Sequence, residues 1–341
     1  MGWTVAIGID THRDGHVAVA LDRFGGGRGS LVFSADAKGY LALWRWAQEL
    51  GEPVFAIEGT GSYGAGVARF LVAAGAEVYE CERPRRAERR RGKSDLIDAT
   101  LAAGRLLSEA SLPRLRGGGV REDLRLLLLE RRGAVRARTA ALNQLQAVVV
   151  TAPEALRSRL RGLRGQQLTL VAARVRGAEG ESAVIAGVLR RLARRVRALG
   201  QELDELDSEL EAIVTRLVPE LLAESGVGPV CAAQLLVSSG DPTRMASEAS
   251  FAALAGTSPV QASSGLHQRH RLNRGGDRQL NRALHVIALN RVRWHPETTA
   301  YHQKLLASGK SPREARRCVK RMLARYFHRR LQTIPALDLT P

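Results

Sequence analysis

The chain has 341 residues and carries 52 lysines and arginines against 34 aspartates and glutamates, a formal net charge of +18 that predicts nucleic acid as a partner. Three cysteines without metal-ligand spacing argue against a disulfide framework and a zinc site. The sequence shows no signal peptide and no apolar run of about 18 residues, so we expect a soluble, intracellular protein without a membrane segment.

The first 36 residues predict a meander of three antiparallel strands. Apolar or alternating segments at 3–10, 16–22 and 30–36 are separated by polar or glycine-rich turns. Asp36 can then cap a helix that ends near Gly51.

The next segments predict parallel crossovers. Residues 53–58 form a buried strand that ends at Glu58, a helix follows over about 64–74, and a fifth strand begins near residue 76. The pattern βββαβαβα indicates an α/β domain of the ribonuclease H-like type. In that topology the first and fourth strands are neighbours, so Asp10 and Glu58 would meet at the carboxyl ends where such sheets place their sites.

The stretch ERPRRAERRRGKSDLIDA, residues 82–99, places seven basic residues before two carboxylates. Asp95 and Asp98 are three residues apart and share one face if a helix begins there. Taken alone, the pattern is typical of a solvated helix start, with Ser94 as the N-cap. With Asp10 and Glu58 nearby, four carboxylates would converge, and Mg²⁺ or Mn²⁺ would neutralise them while the arginine run holds phosphates. The predicted phosphate contacts in this run are Arg89, Arg90, Arg91 and Lys93.

A long helix with a heptad pattern is predicted between Ile185 and Leu217, where apolar residues recur at alternating steps of four and three. Its first half is basic and its second half is acidic, which favours antiparallel over parallel pairing. We expect an intermolecular or antiparallel coiled coil that joins two domains.

Two later stretches carry features suited to phosphate chemistry. Gly226 and Gly228 in GVGPVCAAQLL are typical of a helix-hairpin-helix element whose amides approach a phosphate, although a tight helix connection fits equally well. Further on, SSG forms a turn, and its hydroxyls would lie among cations that stabilise charge developing on a phosphate. An ordinary turn is the alternative. The predicted cationic contacts that follow this turn are Arg269, Arg271, Arg274 and Arg278.

These motifs together resemble the DEDD transposases of bacterial insertion sequences, the insertion-sequence one-ten family. The resemblance lies in IGIDTH, AIEGTGSYG, GKSDLIDA, GVGPVCAAQLL, ALAGTSPVQASSG and HRLNRGGDRQLNRAL. It implies a RuvC-like domain that holds magnesium through Asp10, Glu58, Asp95 and Asp98. It also implies a C-terminal domain whose serine joins covalently to DNA: Ser264, with Ser263 as the fallback.

The resemblance further implies a dimer or tetramer and, for some members, a structured guide RNA. We therefore expect a DEDD catalytic domain at 1–110, a basic helical and coiled-coil region at 111–219, a transposase domain at 220–332 and a disordered tail at 333–341. The expected function is DNA recombination through a serine intermediate. Two alternatives stay open: a two-metal nuclease or transposase without covalent serine, and a non-catalytic architectural DNA-binding protein.

Overall fold

The computed structural model describes residues 2–81, 94–108, 112–113, 115, 119–176, 183–240, 247–261, 270–271, 273 and 275–334. The chain divides into two compact units, Met1–Gly119 and Val120–Leu337.

The first unit is a five-stranded sheet with helices on both faces. Its elements are β1 (Val5–Thr11), β2 (Gly15–Asp22), β3 (Gly27–Ser34), α1 (Ala37–Leu50), β4 (Pro53–Glu58), α2 (Ala65–Ala73), β5 (Glu77–Cys81) and α3 (Asp95–Ser108). The strand order is β3-β2-β1-β4-β5. The first three strands are antiparallel, and β4 and β5 run parallel to β1. The predicted meander, the crossovers and the central position of β1 are confirmed.

Local sequence explains where these elements begin and why the sheet is covered on both faces. Asp36 caps α1, and its carboxylate accepts a hydrogen bond from the backbone N–H of Gly39 at 2.8 Å. Every residue of β1 is buried because α1 and α2 cover one face of the sheet and α3 covers the other. Side chains such as Ile9 pack with α1, whereas Val19 packs with α3.

The second unit is almost entirely helical. Its elements are α4 (Gly119–Thr151), α5 (Glu154–Leu160), α6 (Gly165–Ala172), α7 (Ala183–Leu217), α8 (Pro219–Leu222), α9 (Pro229–Ser239), α10 (Glu248–Leu254), β6 (Val260–Gln261), β7 (His270–Arg271), α11 (Arg278–Trp294), α12 (Pro296–Ala307) and α13 (Pro312–Thr333). The strands β6 and β7 form an antiparallel pair. A large apolar core joins α9, α11 and α13 to one end of α4 and α7.

The long helix α7 is present as predicted, and part of its apolar stripe is buried in core clusters of its own chain. Leu210 shares a core cluster with Leu124 of α4, and Leu189 shares another with Leu145. The two helices therefore run antiparallel, and an ion pair between Arg131 of α4 and Asp207 of α7 joins them. The interpretation of this stripe as an intermolecular seam is not supported, because heptad spacing specifies an apolar partner without specifying which chain supplies it.

Candidate active site

Two carboxylates stand side by side at the end of the two central strands. The register pairs Ile9 of β1 with Ile57 of β4, so the residues that follow, Asp10 and Glu58, are neighbours. Both are buried, at 5% and 6% exposure. The Thr11 hydroxyl donates a hydrogen bond to the backbone carbonyl of Glu58 at 2.8 Å and so links the two strand ends. Carboxylates buried this deeply need a compensating charge.

The helix α3 carries two further carboxylates to the same place. A Cβ atom at Gly8 would lie 2.0 Å from the carbonyl oxygen of Ala99 and 2.2 Å from the nitrogen of Ala103, so only glycine allows α3 to pack this closely on β1. The first turn of α3 contains Asp95 and Asp98, of which Asp98 is buried and Asp95 is exposed. Close packing at one glycine therefore sets the position of both acids.

The other three acids lie close enough to Asp10 to act on it electrostatically. Burial raises the pKa of the Asp10 carboxyl most, and the negative charges of Glu58, Asp95 and Asp98 raise it further, whereas His12 opposes them. We call these four residues, Asp10, Glu58, Asp95 and Asp98, the carboxylate cluster. Like charges this close resist ionisation together unless a cation joins them.

The side chain of His12 bridges two members of the cluster. Its Nε2 lies 3.2 Å from a carboxylate oxygen of Asp10 and 3.2 Å from one of Asp95. Ligand atoms of these three residues all lie within 4.8 Å of one another, a spacing that fits one metal ion. Sequence reasoning missed His12, and the available signal was its place two residues after Asp10 in IGIDTH.

The donor set matches a divalent cation. Carboxylate oxygens are the ligands that magnesium and manganese prefer, and an imidazole nitrogen extends the choice toward transition metals. The arrangement therefore fits divalent metal use.

Several predicted site residues lie outside the described part of the chain. These are Arg89, Arg90, Arg91, Lys93, Ser263, Ser264, Arg269 and Arg274. The backbone of Arg271 lies in β7, and Arg278 is the exposed first residue of α11. Their roles stay predictions.

The two glycines of the predicted hairpin differ in their surroundings. Gly226 has a positive φ of 78°, and a Cβ atom there would lie 3.1 Å from the side chain of Asn290 on α11. Gly228 is exposed and directly precedes α9. Helix packing is thus sufficient to explain Gly226, and phosphate binding by either glycine stays a prediction.

The strand order, with acids at the ends of β1 and β4 and at the start of α3, is consistent with a ribonuclease H-like protein of the DEDD class. Residues 7–154 match the model of the DEDD transposase family of IS110, described as a transposase. Residues 220–303 match the model described as Transposase IS116/IS110/IS902 family. The chain belongs to the IS110 family of insertion-sequence transposases.

Two proteins encoded by insertion elements are similar to this chain. One is the insertion element IS110 uncharacterized 43.6 kDa protein of Streptomyces coelicolor, 34% identical over 128 residues that cover 36% of this chain and 31% of that protein. The other is the insertion element IS900 uncharacterized 42 kDa protein of Mycobacterium paratuberculosis, 27% identical over 293 residues, or 72% of each chain. The first match thus spans about a third of its relative. Among the described residues, no helix has the length and apolar character needed to cross a membrane.

Proposed function

We propose that this protein cuts and rejoins DNA strands during transposition of an insertion sequence. The observation that carries the proposal is the grouping of Asp10 at the end of β1, beside Glu58 of β4, with Asp95 of α3, whose ligand atom lies within 4.8 Å of those of Asp10 and His12. Membership of a transposase family supplies the class of substrate.

In this proposal the carboxylate cluster holds Mg²⁺ or Mn²⁺. When bound, such a cation withdraws charge from a scissile phosphate and stabilises the oxygen that leaves. The sheet holds Asp10 and Glu58 as fixed ligands, because both lie on buried strands. Asp95 is exposed at the rim, where it can complete the ligand set and face incoming DNA. His12 orients the Asp95 carboxylate through the contact between them.

The nucleophile in this proposal is the hydroxyl of Ser264, with Ser263 as the alternative. Its Oγ forms a bond to phosphorus, the bond from phosphorus to the 3′ oxygen breaks, and the released 3′ hydroxyl takes up the proton that the serine loses. The phosphoserine ester retains the energy of the cut linkage, so rejoining needs no ATP. Guanidiniums from Arg269 and Arg271 would stabilise the charge that develops on the phosphate.

The proposed partners are donor and target DNA, a structured guide RNA encoded by the element, and further copies of the chain in a dimer or tetramer. The charge of +18 supports nucleic acid as the partner, since phosphate contacts release counterions and strengthen binding. A cytoplasmic, nucleoid-associated location follows from these partners.

The test of catalysis compares two aspartate variants in a metal-dependent strand-cutting assay. We expect Asp10→Asn to abolish cutting and Asp14→Asn to preserve it, because Asp14 is 91% exposed and makes contact only with Arg13 among described ion pairs. Equal activity of both variants would exclude the carboxylate cluster as the catalytic site. DNA binding by the wild type without any cutting would favour an architectural protein.

The test of the serine route is a protein–DNA adduct that survives denaturation. We expect the wild type to form it and Ser264→Ala to lose it while DNA binding stays intact. Normal strand exchange by Ser264→Ala and by Ser263→Ala would instead favour two-metal cutting without a covalent serine.

A further inference from the structure

A cavity of about 310 Å³ lies within the second unit, between α4, α9 and α11. Arg132 and Arg136 line it from α4, Gln234 from α9, and Gln279 and Arg282 from α11. The α9 wall belongs to GVGPVCAAQLL and the α11 wall to HRLNRGGDRQLNRAL. Two stretches about 45 residues apart in sequence therefore meet at one concave site. Neither stretch contributes to the carboxylate cluster.

The charge of this cavity is positive, and one carboxylate beyond the lining, Asp277, acts on Arg132. No lining residue is a carboxylate, and a fourth lining cation, Arg131, is already paired with Asp207. Within the described residues, Arg132, Arg136 and Arg282 have no carboxylate at ion-pair distance. Burial, and next the charge of Arg136, lower the pKa of the Arg132 guanidinium. Cations placed so close together stabilise a bound anion.

A hydrogen-bonded chain fixes the polar wall of the cavity. Gln234 is 7% exposed, and its amide nitrogen donates to the Ser238 hydroxyl at 2.8 Å. That hydroxyl donates to one oxygen of Asp277 at 2.6 Å. The other oxygen of Asp277 accepts from the backbone N–H of Gln279 at 2.7 Å. Asp277 thus holds the Gln234 side chain through Ser238 and fixes the backbone at Gln279, so this wall is organised before a ligand arrives.

The remaining walls are aliphatic, and the volume limits the ligand. Leu128, Val135, Val230 and Val286 line the cavity beside the polar groups. Ligand pockets start at roughly 300 Å³, so this cavity suits one nucleotide rather than a longer segment. A base that is paired in a duplex cannot enter such a concave site, whereas an unpaired base can lie against aliphatic side chains and guanidinium planes.

We propose that this cavity binds one unpaired nucleotide of a nucleic-acid strand. Arg132 and Arg282 contact its phosphate, the aliphatic wall covers its base, and Gln234 presents an amide to the base edge. This inference rests on the proposed function only for the class of ligand, a nucleic acid, and is independent of the carboxylate chemistry.

The test measures binding of the full chain to a fluorescein-labelled 12-nucleotide single strand, made as DNA and as RNA, and to the matching DNA duplex. We expect Arg132→Gln/Arg282→Gln to bind the single strand at least 10-fold more weakly. The slope of the logarithm of the binding constant against the logarithm of the salt concentration should become shallower by about 0.7, the value for one phosphate contact. The matched control is Arg138→Gln/Arg293→Gln, which removes two exposed arginines from the same helices outside the cavity. We expect this control to change the affinity less than threefold. Preference for the RNA or the DNA strand identifies the source of the nucleotide.

A second measurement uses the wild-type chain and therefore does not depend on a variant that folds. Single strands that contain 5-iodouridine are cross-linked by light, and mass spectrometry locates the adducts. We expect them within residues 230–234 or 279–286. The proposal is overturned if the control pair loses as much affinity as the cavity pair, if adducts form only elsewhere, or if the cavity pair weakens duplex and single strand equally. The variant Asp10→Asn retains the cavity and should bind the single strand like the wild type even though it does not cut DNA. Failure of the nucleotide-binding proposal is therefore distinguishable from failure of the strand-cutting proposal.

Discussion

Replacing Gly8 by alanine tests whether the packing of α3 on β1 positions the carboxylate cluster. The new Cβ atom would lie 2.0 Å from the backbone oxygen of Ala99, and backbone cannot rotate away as a side chain could. Ordinary contact begins at 3.4 Å, so α3 must retreat by about 1.4 Å. Because Asp95 and Asp98 lie in the first turn of α3, they move with it.

Two effects of different size follow from that displacement. Overpacking a buried site costs about 1–3 kcal/mol of stability, which a folded domain can tolerate. A misplacement of about 1 Å at a catalytic group costs roughly 100-fold in rate. We therefore expect Gly8→Ala to remain folded, to bind Mn²⁺ more weakly and to cut DNA about 100-fold more slowly.

The matched control is Gly39→Ala on α1. A Cβ atom there would also lie 2.0 Å from a backbone oxygen, that of Ser34, but α1 carries none of the carboxylate cluster. Urea unfolding should show similar losses of stability for both variants, and a cutting assay at saturating Mn²⁺ should show a loss for Gly8→Ala alone. Equal cutting by the two variants, or wild-type cutting by Gly8→Ala, would refute the role assigned to the packing of α3.

Three further predictions concern charged and polar side chains. Arg291→Met should lower the free energy of unfolding, measured with urea, by about 3 kcal/mol, because Arg291 and its partner Glu224 are only 6% and 12% exposed. As a control, Arg157→Met breaks the exposed pair with Glu154 and should lower it by less than about 1 kcal/mol. Burial raises the pKa of Glu224, but a tyrosine hydroxyl and neighbouring guanidiniums outweigh it and the net pKa is lowered. Its contribution to stability is therefore complete above about pH 4.3 and lost as the pH falls through the lowered value, a loss that unfolding curves for Glu224→Gln should not show. His12→Asn should weaken Mn²⁺ binding about 10- to 100-fold in an electron paramagnetic resonance titration, and unchanged affinity would contradict its bridging role.

The sheet could be predicted from the sequence because each of its elements has a local signal. Alternating or continuous apolar segments marked the strands, and Asp36 marked the start of α1, where its cap hydrogen bond is found. The position of Asp10 beside Glu58 followed from chain order, since β1 and β4 are parallel neighbours in this topology. Local periodicity and simple connection rules were sufficient for this part of the molecule.

Other features depend on contacts that no local pattern encodes. The heptad stripe of α7 predicted an apolar partner, but only the tertiary structure shows that α4, α6 and α9 of the same chain supply it. Gly226 is equally suited by sequence to a phosphate contact or to close packing, and its neighbour Asn290 comes from a helix about 60 residues away. The cavity between α4, α9 and α11 is formed by three helices that are distant in sequence. A one-dimensional pattern carries no information on which of these pairs meet.

Contacts made by the fold offset part of the repulsion within the carboxylate cluster. Burial raises the pKa of the Asp10 carboxyl most, and the negative charges of Glu58, Asp95 and Asp98 raise it further. Packing of α3 on Gly8 supplies a stabilising contact that does not depend on charge, and His12 supplies two polar contacts to the acids. The fold itself therefore holds these side chains near one another, and a divalent cation would bind them without the free-energy cost of bringing α3 and β1 together.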